Sequence, residues 1–185
     1  GSMITATDKV YVTEASAQLK SDNDIVIEGE LYANWRGIGY ESGKEQELRT
    51  GLGNTTTNAK GEKVVPTQNI TFKNGSKAFI DGSLRAVNLN IEEGASVNAT
   101  ANILNATNVT VNGGLKFGGF LQAGNVTVNG TIDASLANTA IKVTGKLNME
   151  SGSSLTAHYV NVTNNEKDEN NSVTKVGEAE LNLKS

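Results

Sequence analysis

The segment Asn125-Val126-Thr127-Val128 decides the fold, because it is one copy of a short sequence motif that recurs along the chain. Apolar and polar residues alternate in it, so Val126 and Val128 face one side of a strand while Asn125 and Thr127 face the other. The copies recur roughly every 15 to 20 residues, a spacing that indicates a solenoid. The others are Asn69-Ile70-Thr71-Phe72, Val87-Asn88-Leu89-Asn90, Asn108-Val109-Thr110-Val111, Ile141-Lys142-Val143-Thr144 and Val160-Asn161-Val162-Thr163.

Turn-forming segments separate these copies from a second set of apolar runs. Asn112-Gly113-Gly114 and Asn129-Gly130 mark tight corners, and Thr131-Ile132-Asp133 and Lys146-Leu147-Asn148-Met149 follow as further short strands. We expect strands of about four or five residues. One such coil buries too little apolar surface to offset its loss of backbone entropy, so coils must stack on one another.

The fold class predicted is therefore all-β, a right-handed parallel β-helix of about 15 to 20 residues per coil with an extrahelical excursion. The six-residue period of left-handed helices is not visible from Asn69 onward, and the Gly-Gly-x-Gly-x-Asp calcium repeat does not occur. The longer, irregular coil favours the right-handed form with three strand faces.

These phrases resemble the passenger regions of Gram-negative autotransporters and of two-partner-secreted, filamentous-haemagglutinin-like exoproteins. Similar Asn-Val-Thr, Asn-Gly-Thr-Ile and Gly-Ser-Ser-Leu phrases carry the likeness over about the last two thirds of the chain. The resemblance implies a non-catalytic fragment of a surface or secreted adhesin. Fold likeness alone does not assign an activity.

Composition restricts the function classes. Aromatic residues make up only 5% of the chain, which favours a narrow column of small aliphatic residues over a conventional core. The net charge is -4 and the basic residues are dispersed, so we expect no nucleic-acid partner. No apolar run is long enough to span a bilayer, so we expect no direct membrane insertion. Cysteine is absent, which is consistent with passage through an oxidising compartment.

The sequence predicts six segments. An expression-tag scar is followed by the first coils, an excursion that holds the only Trp and Pro, the main coils, an exposed polar loop and a last coil. We infer a fragment of a longer chain. In this order the segments cover residues 1–3, 4–33, 34–68, 69–163, 164–172 and 173–185.

The excursion supplies the candidate binding residues, because rings and guanidinium groups carry most of the energy at protein interfaces. They are Trp35, Arg36, Tyr40 and Arg49. Anchoring of Trp35 on the column is the structural alternative. Asn170 lies in an acidic sequon, Asp168-Glu169-Asn170-Asn171-Ser172, and is a candidate glycosylation site.

Catalysis by a polysaccharide-active β-helix enzyme would require clustered carboxylates. The carboxylates are scattered, and Glu28 with Glu30 is predicted to share one strand face. The only histidine, His158, is expected at a surface corner, and no catalytic residue, metal or cofactor is predicted.

Asparagine recurs along the coils, and we expect stacked Asn side chains to hydrogen-bond to one another at corners. A regular Thr array that binds ice or glycan is the functional alternative. The Asn-x-Thr phrases also match the glycosylation sequon, which arises here from the repeat itself.

The function expected is that of a stalk and binding module in a bacterial adhesin, secreted or held at the cell surface by another part of the parent. Its expected partner is a host-cell or bacterial surface glycan or protein. A spacer without binding, a polysaccharide-active enzyme and a self-associating module that aggregates cells are the alternatives.

Overall fold

The computed structural model describes residues 3–12, 19, 24–34, 56–57, 63–64, 67–81, 84–99, 103–162, 166–167, 173–175 and 180–183. Within these ranges the regular structure consists of β-strands. They are β1 (Met3–Ala6), β2 (Lys9–Val12), β3 (Asp24–Ile27), β4 (Glu30–Asn34), β5 (Thr56–Thr57), β6 (Lys63–Val64), β7 (Thr67–Phe72), β8 (Lys77–Asp81), β9 (Leu84–Ile91), β10 (Ser96–Ala99), β11 (Ile103–Val111), β12 (Gly114–Phe117), β13 (Phe120–Val128), β14 (Thr131–Ala134), β15 (Ala140–Val143), β16 (Lys146–Met149), β17 (Ser154–Ala157), β18 (Val160–Val162), β19 (Glu166–Lys167), β20 (Val173–Lys175) and β21 (Glu180–Leu183).

The strands stack in parallel as a β-solenoid, which confirms the predicted parallel β-helix. One sheet has seven strands, β2, β4, β8, β10, β12, β14 and β17, and we call it face 3. The other stacked strands form a 10-stranded sheet that bends into two faces. Face 1 consists of β15, β18 and the first halves of β9, β11 and β13. Face 2 consists of β1, β3, β7, β16, β21 and the second halves of β9, β11 and β13.

Four of the described strands are longer than the four or five residues predicted. β7 has six residues, and β9, β11 and β13 have eight or nine because they continue around the corner between faces 1 and 2. In β13 the inward residues Leu121 and Ala123 are two apart, but the next inward residue, Val126, comes three later. The alternation therefore changes phase at residues 124–125, which is what a bend in a continuous strand requires. The same change occurs in β9 between Ala86 and Leu89.

The structure corrects the alignment of the last repeats. Ile141-Lys142-Val143-Thr144 was expected to be equivalent to Asn125-Val126-Thr127-Val128, but β15 pairs with Phe120–Ala123 on face 1. The strand that continues Val126–Val128 is β16, where Leu147 pairs with Val126. β18 likewise extends face 1. Strands on all faces share the two-residue alternation, so periodicity alone does not distinguish one face from another.

Columns of equivalent side chains fill the interior. On face 2 the column through Val126 runs from strand to strand in register, and its members are almost fully buried. Among the residues described, Phe72 and Phe117 are the two buried rings. This narrow aliphatic core agrees with the low aromatic content, and its members on face 2 are Ile25, Ile70, Leu89, Val109, Val126 and Leu147.

A ladder of side-chain amides runs along the corner between faces 1 and 2, as the stacked asparagines predicted. The Nδ2 of each Asn donates to Oδ1 of the Asn in the preceding coil: Asn88 to Asn69 at 2.9 Å, Asn108 to Asn88 at 2.8 Å and Asn125 to Asn108 at 2.9 Å. At the first rung Asn69 donates to Oδ1 of Asp24 at 2.6 Å. We call these five residues the amide ladder.

The amide ladder ends where the chain carries one additional residue at the corner. Gln122 and Ala123 pair with Lys142 and Val143, yet Val126 pairs with Leu147, so Thr144 to Lys146 replace two residues of the preceding coil. The backbone N–H of Lys146 takes the next rung and donates to Oδ1 of Asn125 at 3.0 Å. This insertion divides what is one strand in β13 into β15 and β16.

Two kinds of turn join face 2 to face 3. In one, a glycine with positive φ occupies the third position, as at Gly75 (φ 81°), and the N–H of Ser76 donates to the carbonyl of Lys73 at 2.9 Å. In the other, Asn112-Gly113 and Asn129-Gly130 make a two-residue bend. A Cβ on Gly130 would collide with the carbonyl oxygens of Gly113 and Asn112 in the coil before it. Only glycine therefore allows these coils to stack so closely.

The remaining short strands pair outside the parallel stacks. β5 pairs with β6, and β19 with β20, each in antiparallel orientation. In the segment predicted as the last coil, β21 joins face 2 beside β16. No helix long and apolar enough to cross a bilayer occurs among the residues described.

Candidate functional site

The predicted binding residues Trp35, Arg36, Tyr40 and Arg49 lie outside the described residues, and so does the candidate glycosylation site Asn170. Their roles remain predictions from the sequence. Within the described chain, a different surface combines exposed aromatic and polar groups.

Three aromatic rings form a strip on the outward side of face 3. The rings of Tyr11 and Tyr32 are stacked with centroids 5.2 Å apart and planes 12° from parallel, and those of Tyr32 and Phe79 with centroids 5.4 Å apart and planes 11° from parallel. Tyr11 is 63% exposed and Phe79 47% exposed. These values are high for side chains of this size, so the aromatic strip (Tyr11, Tyr32 and Phe79) leaves apolar surface in contact with solvent.

Strand register brings the rings together. β2 pairs with β4 so that Tyr11 lies beside Tyr32, and β4 pairs with β8 so that Tyr32 lies beside Phe79. The flanking residues on each strand, such as Leu31 and Ala33 around Tyr32, point into the core. Alternation therefore directs the rings outward, and parallel stacking places them about one strand spacing apart, roughly 4.8 Å.

Charged groups border the aromatic strip. The hydroxyl of Tyr32 donates to Oε2 of Glu30 at 2.9 Å, and Nζ of Lys9 lies 3.7 Å from the same oxygen. The bond to Glu30 raises the pKa of the Tyr32 phenol, and the nearby Glu30 carboxylate raises the pKa of Lys9. Glu30 thus fixes the outer end of Tyr32 while Lys9 remains charged at neutral pH.

A polar groove of about 190 Å³ continues the same surface beyond the strip. It exists because Gly114 has no side chain between Ser96 and Thr131, its register partners on β10 and β14. The groove is lined by Ser96, Val97, Asn98, Gly114, Leu115, Lys116, Thr131 and Asp133. It therefore presents hydroxyl, amide, ammonium and carboxylate groups within three neighbouring strands.

Asp133 is the carboxylate of the polar groove. Its Oδ1 accepts hydrogen bonds from the hydroxyl of Ser135 at 2.6 Å and from the Ser135 N–H at 3.1 Å, and Nζ of Lys116 lies 3.9 Å from Oδ2. The Ser135 hydroxyl is the main cause that lowers the pKa of Asp133, so the group is ionised at neutral pH. It can accept hydrogen bonds from a ligand, but it is not a proton donor.

A glycosidase uses two carboxyl groups, one of them with a raised pKa. Asp133 is the only carboxylate among the groove residues, and its pKa moves in the opposite direction. The described residues contain no group of three histidine, cysteine, aspartate or glutamate side chains able to hold a metal ion.

The other sequence candidates have structural positions. His158 is exposed at a bend after β17, as predicted. Glu28 and Glu30 were predicted to share a strand face, and this prediction is wrong: Glu28 lies in the bend between β3 and β4, because the apolar run from Ile25 to Leu31 turns a corner there. The asparagines Asn69, Asn88, Asn108 and Asn125 bond to one another within the amide ladder.

The aromatic strip was not predicted, because Tyr11, Tyr32 and Phe79 lie far apart in the sequence and only the strand register brings them together. A signal was present. Each of the three strands begins with a charged residue followed by aliphatic, aromatic and aliphatic residues: Lys9-Val10-Tyr11-Val12, Glu30-Leu31-Tyr32-Ala33 and Lys77-Ala78-Phe79-Ile80.

Comparison of this chain with family models, with curated proteins and with solved structures finds no significant match.

Proposed function

We propose that this chain is a non-catalytic binding module carried on a β-helix stalk, part of a bacterial surface or secreted adhesin, and that face 3 is its binding surface. The observation that carries this proposal is the solvent-exposed aromatic strip of Tyr11, Tyr32 and Phe79 beside the polar groove. Exposed rings next to fixed polar groups are characteristic of recognition surfaces.

The energetics favour binding as the reason for this exposure. Burying an aromatic side chain stabilises a protein by about 1.5–3 kcal/mol, and the strip leaves much of that surface in water at Tyr11 and Phe79. The same coils bury Phe72 and Phe117 completely, so the fold can accommodate rings inside. A partner that covers the strip would recover part of the unused burial.

The solenoid supports the stalk role. Each coil contacts its neighbours through continuous parallel pairing, so the surface is held on a rigid support. The resemblance to autotransporter and two-partner-secreted passengers supports the assignment to a bacterial surface. The expected partner is a glycan or protein on a host cell or another bacterium.

The test is a screen of the purified chain on glycan and extracellular-matrix arrays, with polysaccharide cleavage assayed in the same wells. We expect saturable binding without cleavage, and at least tenfold weaker binding for Tyr32→Ala, about 1.4 kcal/mol. Tyr159→Ala is the control, because Tyr159 is an exposed tyrosine, 55%, that is not part of the strip. Cleavage would support the enzyme, and absence of binding on both arrays would support a spacer.

A further inference from the structure

We propose that the ligand of face 3 is an extended, uncharged glycan chain that lies parallel to the solenoid axis, with about one sugar unit per strand. This inference depends on the proposed binding function and specifies its ligand. Four observations carry it: the repeat distance of the surface groups, their chemical variety, their charge balance, and the width of the face.

The first observation is periodicity. Strand register aligns one outward row along the face, and its members are Tyr11, Tyr32, Phe79, Asn98, Lys116, Asp133 and Thr156. Neighbouring members are about 4.8 Å apart, the spacing of paired strands. A pyranose unit in an extended glycan chain advances by a similar length. A linear glycan can therefore present successive sugars to successive strands without losing register.

The second observation is chemical variety along that row. Sugars have apolar C–H surfaces and many hydroxyl groups. The exposed edges of the Tyr11 and Phe79 rings can contact the C–H surfaces, whereas Asn98, Lys116 and Asp133 offer donors and acceptors to hydroxyls. The gap above Gly114 leaves room for a sugar ring between the polar groups. Both kinds of contact thus occur along one line.

The third observation is charge. The described strands of face 3 carry three lysines and three carboxylates, a net charge of zero, in a chain whose net charge is -4. Two pairs are in contact, Lys9 with Glu30 and Lys116 with Asp133. A surface without net charge gives no electrostatic preference for an anionic polymer. The charged members of face 3 are Lys9, Glu30, Lys77, Asp81, Lys116 and Asp133.

The dimensions favour a narrow polymer over a protein. Seven strands of about four residues give a strip of roughly 13 by 29 Å, or about 400 Å², whereas a stable protein interface covers about 800 Å² per partner. Within the stack, β4, β8, β10, β12 and β14 each pair on both sides. Their backbone groups are therefore not available to an added peptide strand, and side chains must make the contacts.

The experiment is isothermal titration of the intact chain with neutral oligosaccharides that increase from about two to about eight sugars, in several linkage series. We expect affinity to increase with length and to reach a plateau at about seven sugars, the number of strands on face 3. Oligogalacturonate and heparin fragments of equal length are the anionic probes, and we expect them to bind at least tenfold more weakly.

Variants locate the ligand along the face. We expect Tyr32→Ala to weaken binding of all lengths roughly tenfold, the effect of one aromatic contact. Lys116→Ala should weaken only oligosaccharides long enough to reach from the strip into the groove. Tyr159→Ala should leave binding unchanged. Because Tyr32 is partly buried, Tyr11→Ala on the outermost strand serves as the second strip variant, and circular dichroism verifies the fold of each.

The outcomes separate this inference from the proposed function. Binding to proteins only, preference for the anionic probes, absence of length dependence, or equal losses in Tyr32→Ala and Tyr159→Ala would overturn the uncharged-glycan assignment while a binding module remained. No binding to any array component would remove both. An affinity that increases with length and is lost in the strip variants would establish the site.

Discussion

Gly113 and Gly114 are neighbours in sequence with opposite steric surroundings. A Cβ on Gly113 would collide with the carbonyl oxygens of Ala95 and Glu92 in the preceding coil, whereas a Cβ on Gly114 would be 3.9 Å from the Ala95 oxygen, an ordinary contact. Neither residue has positive φ. The close stacking of backbones, and not backbone conformation, explains the need for glycine at the first position.

We expect Gly113→Ala to lower the free energy of unfolding by about 1–3 kcal/mol, because the backbone of the adjoining coil must move. Gly114→Ala should leave it unchanged or raise it by about 0.4–1 kcal/mol, because alanine restricts the unfolded chain. Urea denaturation of both variants measures the difference. Equal losses would show that the turn, and not the stacking of backbones, requires the glycine.

Residue-level predictions from the sequence succeeded where alternation alone decides. Val126 and Val128 are buried as expected, and His158 is exposed. Phe79 faces outward, because it alternates with the inward Ala78 and Ile80. The aromatic strip also required knowledge of which strands become neighbours. Tyr32 and Phe79 are separated by the long segment between β4 and β7, so the similar pattern around each residue does not by itself show that their strands are neighbours.

At the scale of elements, the amide ladder connects the coils along one corner. Each of Asn69, Asn88, Asn108 and Asn125 both donates and accepts, so removal of one side chain breaks two bonds. The ladder is partly exposed, so water can replace some of the hydrogen bonds that are lost when a side chain is removed. Its contribution per bond is therefore modest, about 1 kcal/mol.

We expect Asn108→Ala to reduce the free energy of unfolding by about 1–2 kcal/mol, whereas Thr110→Ala on the same strand should change it by less than about 0.5 kcal/mol. The double variant Asn88→Ala with Asn108→Ala should cost less than the sum of the single variants, because they share one bond. Denaturation in urea measures the free energy of unfolding of the unmodified chain, the three single variants and the double variant. Strict additivity would mean that the rungs do not interact.

Sequence reasoning found the ladder because asparagine recurs before each alternating segment. It assigned Ile141-Lys142-Val143-Thr144 to the wrong face because the inserted corner residue shifts the phrase. In that coil the position of the ladder asparagine is taken by the segment Thr144 to Lys146, so the marker that identifies face 2 is missing. Alternation then fits faces 1 and 2 equally well.

For the whole molecule, stacked coils with contacts only to their neighbours predict that one coil can be removed. Asn108 and Asn125 are equivalent positions 17 residues apart. Deletion of residues 109–125 joins Asn108 to Val126 and leaves Leu104 to stack on Ile141, its next equivalent residue. Every face keeps its register in the shortened chain.

We expect the chain lacking residues 109–125 to fold cooperatively, with a denaturant m-value lower by roughly one tenth, since less surface is exposed on unfolding. Deletion of residues 109–117, about half a coil, should abolish folding. The strands after the deletion would then be aligned with the wrong faces of the solenoid. Circular dichroism with urea titration separates the two. A folded half-coil deletion would contradict a solenoid built from equivalent coils.

The amide ladder has two different ends, and this difference fixes the register in which the coils stack. All amides donate toward Asp24, whose carboxylate has no N–H with which to continue the row, and the insertion at Thr144 and Gly145 ends the row at the other side. Coils so alike could pair one step out of place while the chain folds. A slip of that kind would move Asp24 away from Asn69, and the Asn69 amide would lose the carboxylate that accepts its hydrogen bond in the correct alignment. The two ends of the ladder thus favour the correct alignment of the coils over alignments that are shifted by one coil.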